Sequence, residues 1–569
     1  MTNKENICFG IAQLNYHVGA IEANTAKIIE ALDLHKTQGA DIVIFSELAI
    51  CGYSPQDLLY RKDFHEKIAS AIKLIQLKTK ELNIVAILGV PIRDANKSRS
   101  TQSGEFVLYN SLLVIENGII KHTYHKRSLP NYGVFDEKRY FSPGTDNGIY
   151  EFKGIKLGLL ICEDIWDKAT IKQTAEAGAQ ILISIHGSPY YLNKQNVRYD
   201  LVENIIKQFN IPLIYVNQVG GQDELIFDGH SFALTSNAYL LHSLPAFEVN
   251  HCQVKSIDLF SKILSSQLPL ASPSPEADKL LRGLTHTELE SLYQALSLAT
   301  KDYVTKNGFD GIVLGLSGGI DSALTLAIAV NALGAEACRA VMMPFRYTSE
   351  ISIIDAKEEA DNLGVQFDIV PIEPMFESFI GPLKSLFSSN EKDTTEENLQ
   401  ARCRGVILMA LSNKERKLVL TTSNKSEVAV GYSTLYGDMA GGFNVLKDLP
   451  KTWVYALSEY LNLKKEIIPN RVITRPPSAE LAPDQTDQDN LPPYEVLDPL
   501  LKAYVEDDAG VEDLITLGFS LSDIKRVLRL VNLNEYKRAQ SPIGPKLTKR
   551  SFAKERRYPI TNGFNPVNK

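Results

Sequence analysis

The stretch GIVLGLSGGIDSALTLAIAVNAL, residues 311–333, predicts a strand, a glycine-rich turn and a helix in that order. The turn SGGIDS contains two glycines, which let backbone amides converge on a phosphate where the dipole and unpaired N–H groups of a helix favour an anion. Ser317 and Ser322 add hydroxyl donors, and Asp321 stands where it could hold Mg2+ against the phosphates. The stretch therefore predicts an α/β fold with a phosphate site at the end of a strand.

The turn differs from the common nucleotide loop GxxxxGKS/T, because no lysine follows its glycines. A glycine turn that merely caps a helix is the alternative that the turn alone leaves open. The longer string GLSGGIDSAL resembles the loop of the ATP pyrophosphatase group, whose members split ATP between its α and β phosphates and adenylate a substrate. This resemblance assigns ATP binding to Ser317, Gly318, Gly319, Asp321 and Ser322.

Length and composition limit the classes of protein. A chain of 569 residues is too long for one hydrophobic core, so we expect at least two domains. Its 44% apolar and 22% charged residues are typical of globular proteins, and its net charge of -8 gives no overall basic surface for nucleic acid. The first residues lack the layout of a signal peptide, and no segment keeps 18 residues free of polar breaks. We expect a cytoplasmic protein that binds no membrane and no nucleic acid.

The part of the chain before the opening stretch predicts a separate α/β domain at residues 1–262. Apolar runs of strand length alternate there with segments of helix length. The runs are DIVIF (41–45), IVAILGV (84–90), SLLVI (111–115), IKLGLLI (155–161), AQILISI (179–185) and PLIYV (212–216). A stretch rich in serine and proline follows and predicts a linker at 263–285. The second domain then spans 286–569, with mobile loops predicted at 388–398 and 475–495.

Five further strings in the second domain together resemble the NAD synthetase family. They are ENLQARCRG (397–405), TTSNKSEVAVGYSTLYGD (421–438), DLPKTWVYAL (448–457), RPPSAELAPDQTDQD (475–489) and YKRAQSPIGPKLTKRSFAKERRYPI (536–560). The resemblance implies a doubly wound fold with a parallel sheet. It implies that Thr422 and Lys451 contact ATP, and that Asp321 and Glu427 hold Mg2+. It also assigns the substrate deamido-NAD to four residues, which are Asn398, Arg402, Glu427 and Lys546.

A basic segment near the end of the chain departs from the acidic average. Residues 537–557 hold eight lysines and arginines and one acid, Glu555. Three interpretations stay open: a wall of the site for a substrate with two phosphates and a carboxylate, a solvated basic face, or an arm that binds nucleic acid.

The stretch GLLICEDIW, residues 158–166, places Cys162 at the end of an apolar run that predicts a buried strand. The other five cysteines are scattered, with no CxxC pair and no cysteine–histidine cluster, which argues against structural zinc. Taken alone, Cys162 is typical of a small buried hydrophobe. The charges of Glu163 and Asp164 disfavour a thiolate, although neighbouring residues on a strand point to opposite sides. A nucleophilic thiol would need a base from elsewhere in the chain.

Two other strings supply the partners that such a thiol needs. FSELAICGY (45–53) contains Glu47, and YHKRSLPNYGVFDEKRYFSPG (124–144) contains Lys126, each after a predicted strand. Together with GLLICEDIW they resemble the carbon–nitrogen hydrolase, or nitrilase, superfamily and the glutaminase domain that is fused to some NAD synthetases. The resemblance implies an α-β-β-α sandwich and a catalytic triad of Glu47, Lys126 and Cys162.

The resemblance also assigns supporting residues in the first domain. Glu137 would position the lysine, and Tyr132, Ser188 and Lys194 would bind glutamine. Glu47 can accept the thiol proton, Cys162 can attack the amide carbon, and Lys126 can stabilise the tetrahedral oxyanion.

The expected activity is NAD synthesis from deamido-NAD, ATP and glutamine, with Mg2+ as cofactor. Three rivals remain: another ATP pyrophosphatase amidotransferase, a stand-alone nitrilase acting on another amide, and a binding protein with an inactive hydrolase domain. The second rival leaves SGGIDS unexplained. We expect small-molecule substrates and a homo-oligomer.

Overall fold

The computed structural model describes residues 6–94, 106–261, 280–388, 391, 393–477, 480–481, 491–564 and 566. They form two compact units: the described residues of the first end at 261, and those of the second begin at 280 and include the short segment 223–225. The predicted boundaries at 262 and 286 stay predictions, because most of the predicted linker lies outside the described residues. Within the described ranges, no helix combines the length and apolar character needed to cross a membrane.

The strands of the first unit form two six-stranded sheets and a separate hairpin. In chain order they are β1 (Cys8–Gln13), β2 (Ile42–Ile44), β3 (Val85–Asp94), β4 (Val107–Glu116), β5 (Ile119–His125), β6 (Ile149–Phe152), β7 (Ile155–Ile161), β8 (Ile181–His186), β9 (Leu213–Asn217), β10 (Val219–Gln222), β11 (Leu225–Asp228), β12 (Phe232–Leu234), β13 (Leu240–Ser243) and β14 (Asn250–Lys255). The sheet orders are β14-β1-β2-β3-β4-β5 and β13-β12-β9-β8-β7-β6. Parallel pairs lie at the centre of each sheet and antiparallel pairs lie at the edges.

Helices cover the sheets of the first unit. They are α1 (Ile21–Thr37), α2 (Lys62–Leu82), α3 (Glu137–Tyr140), α4 (Lys168–Glu176), α5 (Lys194–Phe209) and α6 (Ser256–Leu259). The two sheets share one apolar core, in which Phe9 of the first sheet lies in a cluster with Leu157 and Ile183 of the second. A second cluster joins Ile171 of α4 and Val202 of α5 to the second sheet, and α2 packs against β3 and β4. This arrangement confirms the predicted α-β-β-α sandwich.

The second unit contains a five-stranded parallel sheet and a small hairpin. Its strands are β15 (Leu280–Leu281), β16 (Leu284–Thr285), β17 (Gly311–Gly315), β18 (Cys338–Met342), β19 (Gln366–Ile369), β20 (Lys417–Thr421) and β21 (Phe443–Asn444). The order β19-β18-β17-β20-β21 reverses direction between β17 and β20. This confirms the predicted doubly wound fold, in which ligands bind beyond the carboxyl ends of the strands at such a reversal.

Helices make up most of the rest of the second unit. They are α7 (His286–Lys306), α8 (Ile320–Leu333), α9 (Glu350–Leu363), α10 (Glu373–Leu383), α11 (Thr394–Glu415), α12 (Lys425–Val430), α13 (Lys451–Leu461), α14 (Asn470–Thr474), α15 (Tyr494–Leu501), α16 (Val511–Thr516), α17 (Leu521–Leu533) and α18 (Glu535–Arg538). α8 packs on β17 and β18, and α11 packs on β17 and β20. The helix and strand of the opening stretch are therefore central to this unit.

The prediction of a loop over 388–398 is wrong in its last residues, because α11 begins at Thr394. Asp393 and Glu396 form a reciprocal capping box. Glu396 Oε2 accepts the backbone N–H of Asp393, and Asp393 Oδ1 accepts the backbone N–H of Thr395. Such a box can start a helix within a polar stretch, so polar composition alone does not locate the boundary between the loop and α11.

Candidate active sites

Three polar side chains of the first unit follow the ends of strands. Glu47 lies three residues after β2, Lys126 lies directly after β5, and Cys162 lies directly after β7. All three are buried. Because β2 and β5 belong to the first sheet and β7 belongs to the second, the sandwich brings together residues that are far apart in the sequence.

Lys126 is the centre of this group. Its Nζ donates to Glu47 Oε1 at 2.8 Å and to Glu137 Oε1 at 2.8 Å. The side chains of Lys126 and Glu47 are fully buried, and that of Glu137 is 5% exposed. A buried ammonium is costly unless charged partners surround it, so the two carboxylates fix its position.

Other groups orient the two carboxylates. Asn110 Nδ2 donates to Glu47 Oε1 at 2.7 Å, and the backbone N–H of Gly187 donates to Glu47 Oε2 at 2.8 Å. The hydroxyl of Tyr53 donates to Glu137 Oε1 at 2.9 Å. Each carboxylate is therefore held on more than one side, as a preorganised site requires.

The charges of the group set the protonation states. Burial, and then Glu47, raise the pKa of the Cys162 thiol well above its usual range. Burial alone would lower the pKa of Lys126, but Glu137 and Glu47 raise it well above its usual value. Burial raises the pKa of Glu137 to about 7 against the opposing effect of Lys126. At rest the site therefore holds a protonated Cys162 thiol near a charged Lys126 ammonium.

Cys162 occupies a tight turn between β7 and a short 3-10 helix, Cys162–Ile165. Its φ is 46°, in the left-handed region that only a few per cent of non-glycine residues adopt. Asp164 holds this turn, because its carboxylate accepts the N–H of Ile161 at 3.0 Å. The same carboxylate accepts the N–H of Arg127 at 3.0 Å, so one side chain joins the Cys162 turn to the Lys126 loop.

The predicted glutamine-binding residues lie on neighbouring segments. The hydroxyl of Tyr132 donates to the carboxylate of Glu163, with distances of 2.9 and 3.0 Å to its two oxygens, so the Glu163 side chain is directed at Tyr132. Lys194 lies over the ring of Trp166 at 4.8 Å and interacts electrostatically with Glu163. Ser188 is buried, and its hydroxyl accepts from Arg198 at 3.2 Å. Their roles toward glutamine stay predictions.

The second unit contains a cavity of about 1190 Å³ beyond the carboxyl ends of β17 and β20. Eight residues predicted to bind substrates or metal line it, namely Ser317, Gly319, Asp321, Ser322, Asn398, Thr422, Glu427 and Lys451. The cavity therefore lies at the reversal of strand order, where a ligand is expected in this fold.

Lys451 joins the two predicted metal ligands. Its buried ammonium contacts Asp321 Oδ2 and lies 3.4 Å from Glu427 Oε1. Burial opposes its charge, but Asp321 and Glu427 raise the pKa of Lys451 well above the usual value. Asn424 Nδ2 donates to Asp321 Oδ1 at 2.9 Å, and the Asn424 side chain caps α12. The Lys451 ammonium therefore holds the carboxylates of Asp321 and Glu427 near each other.

The phosphate turn needs glycine at position 318. Gly318 has a φ of 78°, and a Cβ built on it would lie 2.4 Å from the carbonyl oxygen of Ser352. The carbonyl of Gly318 accepts from Arg475 at 2.9 Å, and Arg475 also lines the cavity. Any larger residue at 318 would force the turn away from α9.

Asp498 of α15 fixes the helices that carry Lys451 and Glu427. One carboxylate oxygen accepts the hydroxyl of Ser426, and the other accepts the N–H and hydroxyl of Thr452, each at 2.8 Å. Ser426 in turn accepts the N–H of Lys451 at 2.9 Å. A buried carboxylate thus connects α15 to the start of α13 and to α12.

The predicted deamido-NAD residues are not all in the cavity. Asn398 lines it and accepts the hydroxyl of Thr434 at 2.8 Å. Arg402, one turn further along α11, is not among the lining residues, and its Nε donates to the carbonyl of Leu435 at 3.2 Å. Lys546 is buried, and its Nζ donates to the carbonyls of Thr548 and Lys549. The structure gives Lys546 a role inside the protein, and its predicted contact with substrate stays a prediction.

Some residues that shape both sites were not foreseen. Tyr53 and Asp164 lie inside quoted strings, FSELAICGY and GLLICEDIW, so a search of those strings for hydrogen-bonding groups could have found them. Asn110 lies in the middle of β4 and carries no sequence signal. Asp498 follows a stretch whose sequence is typical of a loop, and Arg475 begins the string RPPSAELAPDQTDQD, in which no single residue stands out as a ligand.

Comparison with known proteins gives two family matches. The Carbon-nitrogen hydrolase family matches residues 9–256, and the NAD synthase family matches residues 292–541. The matches and the two sites define the class: a carbon–nitrogen hydrolase unit followed by an NAD synthase unit.

Curated relatives and solved structures match almost the whole chain. The glutamine-dependent NAD(+) synthetase of Acinetobacter baylyi is 46% identical over 558 residues, which are 98% of each protein. A solved structure of glutamine-dependent NAD+ synthetase from Acinetobacter baumannii, in complex with ADP, is 43% identical and has a TM-score of 0.75, with coverage of 99% of this chain and 100% of that one. The enzyme of Cytophaga hutchinsonii is 22% identical with a TM-score of 0.81 over 98% of both chains, and shares the fold. The chain belongs to the glutamine-dependent NAD(+) synthetase family.

Proposed function

We propose that this protein makes NAD by amidating deamido-NAD, with ATP as the activating substrate and glutamine as the nitrogen donor. One observation carries the proposal: the same chain holds a buried Glu47–Lys126–Cys162 group and, in its second unit, a phosphate turn whose Asp321 contacts Lys451. The first suits amide hydrolysis, and the second suits nucleotide chemistry. The products are NAD, AMP, pyrophosphate and glutamate.

At the first site, Glu47 accepts the Cys162 proton while the sulfur attacks the amide carbon of glutamine. Lys126 remains charged, because its pKa is raised, and it stabilises the oxyanion that forms on the carbonyl oxygen. The proton then passes from Glu47 to the departing ammonia. Water completes the cycle by hydrolysing the thioester, with Glu47 again as the base.

At the second site, the phosphate turn and Thr422 bind the phosphates of ATP, and the nicotinate carboxylate of deamido-NAD attacks the α-phosphate. Pyrophosphate leaves, and ammonia then displaces AMP from the adenylated carboxylate. Lys451 stabilises the negative charge that develops on the leaving pyrophosphate.

The residues around Lys451 fit the binding of Mg2+. Asp321 and Glu427 direct carboxylate oxygens at one ammonium, so the site already gathers the hard oxygen ligands that this ion prefers. Asp321 and Glu427 would hold the ion, and its remaining ligands would come from phosphate oxygens and water. Mg2+ would neutralise charge on the phosphates.

The assay of the purified chain tests the proposal directly. With deamido-NAD, ATP and Mg2+, NAD should form with either glutamine or high ammonium as the nitrogen source, in equal amounts with AMP. Amidation of another nucleotide, such as the precursor of GMP, with no NAD formed would favour the rival amidotransferase. Hydrolysis of an unrelated amide with no ATP consumed would favour the stand-alone nitrilase.

The remaining assignments belong to the same proposal. Tyr132, Ser188 and Lys194 bind glutamine, and Asn398, Arg402, Glu427 and Lys546 contact deamido-NAD. We propose a cytoplasmic location, since all six cysteines are free and a reducing compartment maintains that state. We also propose that the protein is a homo-oligomer.

A further inference from the structure

The outward face of α17 carries a cluster of cations that no assignment above includes. Lys525, Arg526 and Arg529 line the cavity of the second unit. The opposite face of α17 is anchored in an apolar core through Ile524, Val527, Leu528 and Val531. Because that face is fixed, the three cations are held toward the cavity by a rigid helix.

These cations have no partner among the described residues, whereas the other cations of the cavity do. Lys451 contacts Asp321, Arg475 donates to the carbonyl of Gly318, and Lys537 donates to the carbonyls of Gly431 and Ser433. Asp523, the acid on α17, accepts the hydroxyl of Ser520, and the Ser520 oxygen in turn accepts the N–H of Asp523 and caps the helix. The positive charge of the cluster is therefore available to a ligand.

The spacing of the cluster makes it unfavourable without an anion. Residues 525 and 529 are four apart and 526 and 529 are three apart, so their side chains are neighbours on the helix surface. Like charges at these spacings repel each other and destabilise a helix. A ligand with two adjacent phosphates would remove this repulsion and accept several charge-assisted hydrogen bonds.

The phosphates of ATP already have a binding place elsewhere in the cavity, on the turn between β17 and α8. α17 packs instead on α12, α15, α16 and α18, and so forms a different wall. The cavity volume of about 1190 Å³ exceeds the roughly 300–1,000 Å³ that is typical for one small ligand. The second polyanion of the proposed reaction is the dinucleotide.

We propose that Lys525, Arg526 and Arg529 bind the diphosphate of the dinucleotide substrate. This inference rests on the proposed function for the identity of the ligand. In this proposal the cluster on α17, and not the basic tail at 537–557, supplies most of the positive charge near the diphosphate. Arg538 donates to the carbonyl of Ala429, Lys546 donates to that of Thr548, and Arg556 pairs with Glu535, so these tail cations are used within the protein.

The test compares two double variants of the full chain. Arg526→Gln/Arg529→Gln removes two charges from α17, and Lys464→Gln/Lys465→Gln removes two from an exposed surface outside the cavity. With ammonium as nitrogen source, the α17 variant should raise the KM for deamido-NAD by about tenfold or more, as loss of charged hydrogen bonds predicts. Its KM for ATP should stay within about twofold, which also shows that the second unit is folded. The control variant should match the parent in both constants.

Three outcomes would overturn the inference: an unchanged KM for deamido-NAD, an equal rise in the KM for ATP, or an equal effect in the control variant. A parent chain that makes no NAD would instead refute the proposed function. In that case, calorimetric titration with inorganic pyrophosphate still tests the cluster. Weaker binding in the α17 variant than in the control supports an anion site, and equal binding overturns it.

Discussion

Cys162 is protonated at rest, since burial and Glu47 raise the pKa of its thiol. It can attack only if a base removes its proton during the reaction, and Glu47 is the carboxylate whose charge acts most strongly on it. Lys126 favours the charged thiolate, and it is held by Glu47 and Glu137. The chemistry of the first site therefore depends on a few side chains, each with a separate task.

Replacing Cys162 with alanine should abolish NAD synthesis from glutamine and leave synthesis from high ammonium near the parental rate. The change removes the proposed nucleophile and alters no residue that lines the cavity of the second unit. Replacing Glu47 with glutamine should have the same selective effect, with a loss on the order of 10² to 10⁴ in rate. NAD formation with each nitrogen source measures both. Glutamine-dependent synthesis by Cys162→Ala at the parental rate would show that the thiol is only a core residue.

His35 should make the first unit sensitive to acid. It is fully buried, its Nε2 lies 3.1 Å from Nδ1 of His251, and burial, then His251, lower its pKa to about 4. In the unfolded chain its pKa is near 6.5, so below that value the unfolded state binds more protons and stability falls with decreasing pH. The loss between pH 7 and 4 should approach ~3 kcal/mol.

The measurement uses urea unfolding at several pH values. In a Trp453→Phe background, Trp166 is the remaining tryptophan and reports on the first unit. The midpoint should fall as the pH drops from 7 to 4.5, and His35→Asn should flatten that dependence. An equally steep fall in the His35→Asn protein would assign the acid sensitivity to other groups.

At the scale of elements, Asp498 connects α15 to α12 and α13, which carry Glu427 and Lys451. Asp498→Asn replaces one acceptor of the hydrogen bonds from Ser426 and Thr452 with a donor, so α12 and the first turn of α13 lose their alignment. Synthesis from ammonium should fall by roughly 10²-fold in kcat, as a misplacement of about 1 Å at a catalytic group predicts. Glutamine hydrolysis should continue. Asp513→Asn, which alters an exposed cap of α16, is the matched control. Equal rates in the two variants would contradict the positioning role.

The elements that the sequence predicted well are those with strong local signals. β7 coincides with the apolar run 155–161, and α8 begins two residues before the predicted helix at 322. The capping box of Asp393 and Glu396 is equally local, yet the polar composition around it led to a loop prediction. The short strands β10 to β13 carry no clear alternation, because both faces of most of them are buried or their sequences are too short for a period to emerge.

At the scale of the whole molecule, the two sites should respond separately to mutation. Asp321→Ala and Glu427→Ala should each abolish NAD synthesis from glutamine and from ammonium alike, since both reactions require the adenylated carboxylate. Glutamine hydrolysis should persist at a slow rate in both. The two assays on the same preparation, with Mg2+ titrated, measure this. Full synthetase activity in Asp321→Ala would refute its assignment.

Side-chain types and their order predicted groups of residues that the structure brings together within each unit, but not which cations of the second unit lack a partner among the described residues. A basic wall of a substrate site is one of the three interpretations that the sequence leaves open for the tail at 537–557, because eight cations stand there against one acid. Three of these cations are buried and form hydrogen bonds within the protein, namely Arg538, Lys546 and Arg556. The sequence of α17 has fewer cations and does not predict a binding surface, since only the fold reveals which of its faces is packed.

The burial of the cysteines has a consequence for oxidative damage. Burial raises the pKa of every thiol in the chain, and the six are Cys8, Cys51, Cys162, Cys252, Cys338 and Cys403. Peroxides attack the thiolate far faster than the thiol, so a chain whose cysteines all stay protonated at neutral pH resists conversion to sulfenic acid. Because Cys162 is protonated, a base must take its proton before the sulfur can react. We therefore expect the thiols of this protein to react with peroxide at neutral pH more slowly than a free, exposed cysteine thiol does.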